Sequence, residues 1–261
     1  MKKTIILFAA VCFLTACGDD ENVDILTPYF FNTEEDTSEG KKPDDKDPKS
    51  NIPTEGLVAY YPLDGNADDK SGNKYNGEVH GNLYKTSNRK GTGFSLGFPG
   101  TPDDYIRVPF SSILTTKSFT LNAWVYNLDA SNKDCSVISC GKAGVPGSFW
   151  LSFSNFRITD SGETNYLVPL IDKNTQPKSE KWVMLTATID DLHCIIYVNG
   201  EKTVGGNMKE SYTPLLNSAY DLKIGISDYT KDSCPFYGYL DDIRIYNRAL
   251  TAQEIQLLYK E

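Results

Sequence analysis

Apolar residues recur at every second position in one short segment of this chain after another, and that period constrains the fold more than any other feature. Phe119, Leu121, Ala123 and Val125 would share one face of a strand, as would Val183, Leu185, Ala187 and Ile189 of a later one. Similar segments run from Leu57 to Leu63, Gly77 to Tyr84, Tyr105 to Pro109, Phe149 to Phe153, His193 to Asn199, Leu222 to Ile226 and Tyr237 to Tyr246, set between Gly, Asn, Asp and Ser clusters. Asn199-Gly200 marks a hairpin and Asp190-Asp191 a second tight turn. Strands this numerous and this regularly one-sided are best satisfied by two antiparallel sheets packed face to face. One helix is marked at the end of the chain. Thr251 and Glu254 stand at capping-box spacing, and Ile255 and Leu258 share a face.

The first 53 residues follow another logic. Lys2 and Lys3 precede an apolar run from Ile5 to Ala16 that is too short to cross a bilayer as a helix, so residues 1–17 read as a targeting signal. Leu14-Thr15-Ala16-Cys17 resembles the lipobox of bacterial lipoproteins, which implies acylation of Cys17; an ordinary cleaved signal stays open as the alternative. Gly18-Asp19-Asp20-Glu21 resembles the surface-export signal of Bacteroidetes-type lipoproteins, which implies a lipid-anchored position on the outer face of the outer membrane. Residues 18–53 hold eleven Asp and Glu against four Lys and read as an acidic flexible tether. That stretch carries -7 of a formal net charge of -9, so the acidity belongs mostly to the tether, and nucleic acid is not an expected partner. Residues 54–261 remain as one domain.

The segment Phe236–Asn247, FYGYLDDIRIYN, raises a specific question. Strict alternation puts Tyr239, Asp241, Ile243 and Ile245 on one face and Leu240, Asp242, Arg244 and Tyr246 on the other. The first set looks like a core face, yet it holds a carboxylate, whose unpaired burial costs several kcal/mol or more, on the order of a whole domain's marginal stability.

Gly56–Asn66 continuing through Asp69–Asn73, Ser118–Val125 and Gly238–Leu250, with the Tyr197-Val198-Asn199-Gly200 hairpin, resemble the laminin G-like, concanavalin A-like jelly-roll family of bacterial surface proteins. The resemblance implies a jelly-roll sandwich in which the first strand lies beside the last. It also implies a calcium ion between the loop after the first strand and the aspartate of the last, here Asp64, Asp69 and Asp241. The loop Asp64–Asn73 is rich in oxygen donors, though it is not an EF-hand, because Asp69 and Tyr75 stand where glycine and glutamate are needed. The alternative for Asp241 is hydrogen bonding to backbone amides or pairing with an arginine, without metal.

Enzymatic readings lack their parts. The chain has two histidines, His80 and His193, and neither a GxxxxGK[ST] nor a GxGxxG motif; no strand segment of residues 54–261 carries the Glu-x-Asp-x-x-Glu motif of jelly-roll hydrolases. Binding remains, and the domain is rich in aromatic residues. Trp150, Tyr229 and Tyr237 are the ligand candidates, placed in or beside loops, while Trp124 and Trp182 are assigned to packing or the sheet surface. The expected protein is a non-catalytic, surface-exposed lipoprotein that binds glycan, with a protein-binding adhesin as the alternative. Of the domain's cysteines, Cys135 and Cys234 lie in turn-rich stretches and are the expected disulfide, while Cys194 alternates with Ile196 and Val198 like a buried thiol.

Overall fold

The computed structural model describes residues 23–25, 51–109, 116–129, 134–169, 180–214, 220–228 and 234–261. In chain order the strands are β1 (Val23–Ile25), β2 (Leu57–Tyr61), β3 (Glu78–His80), β4 (Tyr84–Ser87), β5 (Phe94–Pro99) and β6 (Tyr105–Val108). Next come β7 (Ser118–Asn127), β8 (Ser136–Cys140), β9 (Phe149–Ser152), β10 (Asn155–Thr159) and β11 (Asn165–Pro169). The series ends with β12 (Trp182–Asp190), β13 (His193–Val198), β14 (Glu201–Asn207), β15 (Leu222–Ile224), β16 (Tyr237–Tyr246) and the helix α1 (Ala252–Lys260).

These strands make the two sheets expected. One runs β1-β11-β10-β9-β8-β15-β6-β3; the other runs β14-β13-β12-β7-β16-β5-β4, with β2 paired to β16. All the pairings are antiparallel except that of β1 with β11. The opening and closing strands therefore lie side by side, with Tyr61 opposite Ile243 and Ala59 opposite Ile245.

The inward faces of β7 and β12 are those that the sequence specifies. Phe119, Leu121, Ala123, Val125, Val183, Leu185, Ala187 and Ile189 all sit in the core between the sheets. Asn199 and Gly200 both take positive φ and close the β13–β14 hairpin. A second apolar cluster forms on the outer face of the second sheet, where Ile255, Leu258 and Leu250 pack on Trp124, Met184, Tyr197 and Tyr246. That burial, about 1.5–3 kcal/mol for each large side chain, holds α1 against the sheet. The Thr251–Glu254 capping box is formed, and Glu254 also takes two hydrogen bonds from Arg248 at 2.6 and 2.9 Å.

Val23–Ile25, inside the stretch read as a tether, pairs with Asn165–Leu167. Residues 1–22 and 26–50, Cys17 among them, lie outside the described residues. Among the described residues no helix is long and apolar enough to cross a membrane.

Candidate functional site

The backbone of β16 decides which side chains reach the outer face of the second sheet. Against β7 its register runs Tyr239↔Tyr126, Leu240↔Val125 and Asp241↔Trp124, then resumes one residue out of step at Arg244↔Asn122. Asp242 takes a positive φ of 46° within this β-bulge, and the extra residue changes which face the following side chains meet. The alternation assumed for this strand is thereby corrected. Ile243 and Ile245 join Leu240 in the core, while Asp241 stands opposite Trp124 on the outer face.

Asp241 is nevertheless only 2 % exposed, because Arg89 covers it from the turn between β4 and β5. The Arg89 guanidinium lies 4.6 Å from the centre of the Trp124 ring, 2.9 Å from Asp242 and 3.8 Å from Asp241. Burial and then the adjacent Asp242 push the Asp241 carboxyl up to about 7, against the opposing pull of Arg89 and its backbone amide. Asp242 also accepts the Tyr60 hydroxyl at 2.6 Å, and Arg244 lies over the Tyr60 ring with Glu261 at 2.7 Å. Asp241 thus lies against an arginine, one of the partners expected for it. An acid of raised pKa sealed under a guanidinium and an indole cannot reach a substrate, so Asp241 has no geometry for general acid catalysis.

The residues named for calcium are not brought together as a set. Asp69 is spent within its own loop, where it accepts the Tyr60 amide at 2.9 Å, the Ser71 amide at 2.8 Å, the Ser71 hydroxyl at 2.9 Å and the Tyr75 amide at 3.0 Å. Two donors on each oxygen fill the lone-pair sites of a carboxylate and leave none for an ion. Burial acts to raise the Asp69 carboxyl, and these hydrogen bonds outweigh it, so the group sits below its ordinary value. Asp64 is exposed, accepts the Phe94 amide at 3.3 Å and lies close enough to Asp241 to add to its upward shift. Among the described residues no three His, Cys, Asp or Glu side chains converge as metal ligands.

Below the Arg89 cap, the same face carries a row of aromatic side chains fixed by register. Trp182 stands opposite Tyr126, Tyr126 opposite Tyr239, Tyr239 opposite Gly97 and Gly97 opposite Tyr84, which crosses β12, β7, β16, β5 and β4 in turn. Ring centres are 5.6 Å apart for Trp182–Tyr126, 5.2 Å for Tyr126–Tyr239 and 6.5 Å for Tyr239–Tyr84. Tyr237, 44 % exposed, stands two residues before Tyr239 on the same strand and face. The row contains no charged residue, and its rings offer apolar faces with hydroxyl and indole donors at their margins.

Of the ligand candidates from sequence, Tyr237 thus belongs to this surface. Trp150 does not, since it is 1 % exposed on β9 with Arg157 at 5.0 Å from its ring. Tyr229 lies outside the described residues. No disulfide joins Cys135 and Cys234, the expected pair, among the described residues. The two segments do meet, the Ser136 amide donating to the Cys234 carbonyl at 3.1 Å. Burial, with Cys234 nearby, pushes the Cys135 thiol up to about 12, which suppresses the thiolate that disulfide exchange needs. The two histidines stand on different sheets, His80 on β3 and His193 on β13.

Residues 99–256 match the family model Laminin_G_3, described as the concanavalin A-like lectin/glucanases superfamily. Among solved structures, the chain is similar to domain 4 of AbnA, a GH43 extracellular arabinanase from Geobacillus stearothermophilus in complex with arabinotriose. The TM-score is 0.63 at 18 % identity, over 78 % of this chain and 98 % of that one. It is also similar to the binding domain of botulinum neurotoxin DC, in complex with SialylT (TM-score 0.58, 17 % identity) and with rat synaptotagmin II (TM-score 0.59, 16 % identity). Both toxin comparisons cover 79 % of this chain and 52 % of the toxin domain, so the chain spans about half that domain's length. At these identities the likeness is one of fold. No curated protein matches the sequence.

Proposed function

The chain belongs to the concanavalin A-like lectin/glucanases superfamily, and from that premise we propose that it is a non-catalytic glycan-binding module displayed on a bacterial surface. The observation that carries the reading is the Trp182–Tyr126–Tyr239–Tyr84 row, a half-exposed aromatic strip on a rigid sheet. Sugars present C–H faces to such rings and hydroxyls to their polar edges, which is how an uncharged surface gains both affinity and orientation. The printed partners of two fold neighbours, arabinotriose and SialylT, support the same class of ligand. In this reading Cys17 is acylated, the acidic stretch after it directs export, and the following residues hold the domain away from the outer membrane.

A glycan array probed with the full chain in detergent tests the proposal. Binding is expected, and Tyr239→Ala should weaken it. An array without signal, together with a protein that co-purifies and is lost in edge-strand variants, would replace the glycan reading with the adhesin.

A further inference from the structure

We infer that the corner made by Tyr84 and Tyr239 grips the flat C–H face of a neutral pyranose; this rests on the glycan-binding reading and names the sugar class that it leaves open. The two rings meet at 84°, with centres 6.5 Å apart. Tyr84 is the floor. A Cβ on Gly97 would fall 2.4 Å from its Cζ, 2.5 Å from its Cε2 and 2.8 Å from its Cε1, so the ring rests on the bare backbone of β5. Its other face points away from the sheet, and the residue is 42 % exposed. Tyr239 stands beside it as a wall, edge-on to the Tyr84 ring, with Tyr237 nearby.

The chemistry of the corner selects among sugars. An exposed tyrosine face is electron-rich and apolar, and it suits a chair whose axial C–H bonds all point one way. A uronate or sialate carboxylate would have to give up water here without a cation to meet it, which disfavours acidic sugars. Among the described residues the register row contributes no lysine or arginine, and Arg89, in the turn between β4 and β5, is already committed to Asp241 and Asp242. The missing Cβ at Gly97 is what allows the floor to lie flat.

The test is calorimetric titration of the full chain with two panels: neutral cello-, xylo-, manno- and galacto-oligosaccharides, and acidic oligogalacturonate and sialyllactose. A neutral member should bind and the acidic ones should not. Tyr84→Ala should weaken that binding about tenfold, equivalent to roughly 1.4 kcal/mol, while Tyr84→Phe keeps most of it. Gly97→Ala should reproduce the loss by displacing the ring, because the Gly97 φ is outside the left-handed region and the backbone accepts alanine. Should Gly97→Ala fail to fold, the exposed Tyr84 carries the test alone. Preferential binding of an acidic sugar, or neutral binding indifferent to Tyr84→Ala, overturns this inference and leaves the glycan reading standing. Silence toward every glycan on the panels and the array overturns both.

Discussion

Asp241 keeps its proton to about pH 7 because burial beside Asp242 disfavours its charge. In the unfolded chain it titrates near pH 4. Below that value both states are protonated and the group has no effect on stability. Between about pH 4 and 7 the unfolded chain has released a proton that the folded one retains, so stability falls as pH rises, by up to about 4 kcal/mol. Above pH 7 the loss is complete. Asp241→Asn removes the titration, so chemical denaturation should show the variant gaining on the wild type steadily from pH 4 to 7 and then holding its lead. A gap that ignores pH would contradict this account. Asp69 acts oppositely: its lowered carboxyl stabilises the fold above the unfolded value, and that contribution is lost as pH falls. The sequence showed that Asp241 needed compensation and left an arginine among the choices. That the arginine is Arg89 could not be read from spacing, since Arg89 reaches it from a turn in another part of the sheet.

Among the elements, α1 and the β13–β14 hairpin were legible because their signals are contiguous: a capping box four residues long, and an Asn-Gly pair. The faces of β7 and β12 were legible for the same reason. The face of β16 was not, because a bulge at two consecutive aspartates leaves no mark in composition. The aromatic row was missed at a longer range. It joins positions 84, 97, 126, 182 and 239 through four separate registers, and one of its members is a glycine whose value is the space it leaves. The helix offers a direct test. Leu258→Ala should cost about 2–3 kcal/mol in urea denaturation, since the side chain is fully buried on the sheet. Thr251→Ala should cost about 1 kcal/mol through the lost cap. Both should increase the solvent exposure of Trp124, whose ring stacks on Tyr259 at 5.6 Å, and shift its emission to the red.

For the whole molecule, cohesion comes from the pairing of first and last strands and from the core between the sheets. Because four donors already fill the Asp69 carboxylate, chelator should leave the melting temperature unchanged, and dithiothreitol should do the same. A fall on chelation that calcium reverses would instead place an ion on Asp64 and Asp241. The paired aspartates of β16 also have a bearing on how this chain can vary. Straightened at its present length, the strand would turn Arg244 and Tyr246 into the sandwich interior and expel Ile243 and Ile245 from it. A chain one residue shorter at this point would keep every face as it is, so variation there can trim the strand but cannot straighten it at its present length.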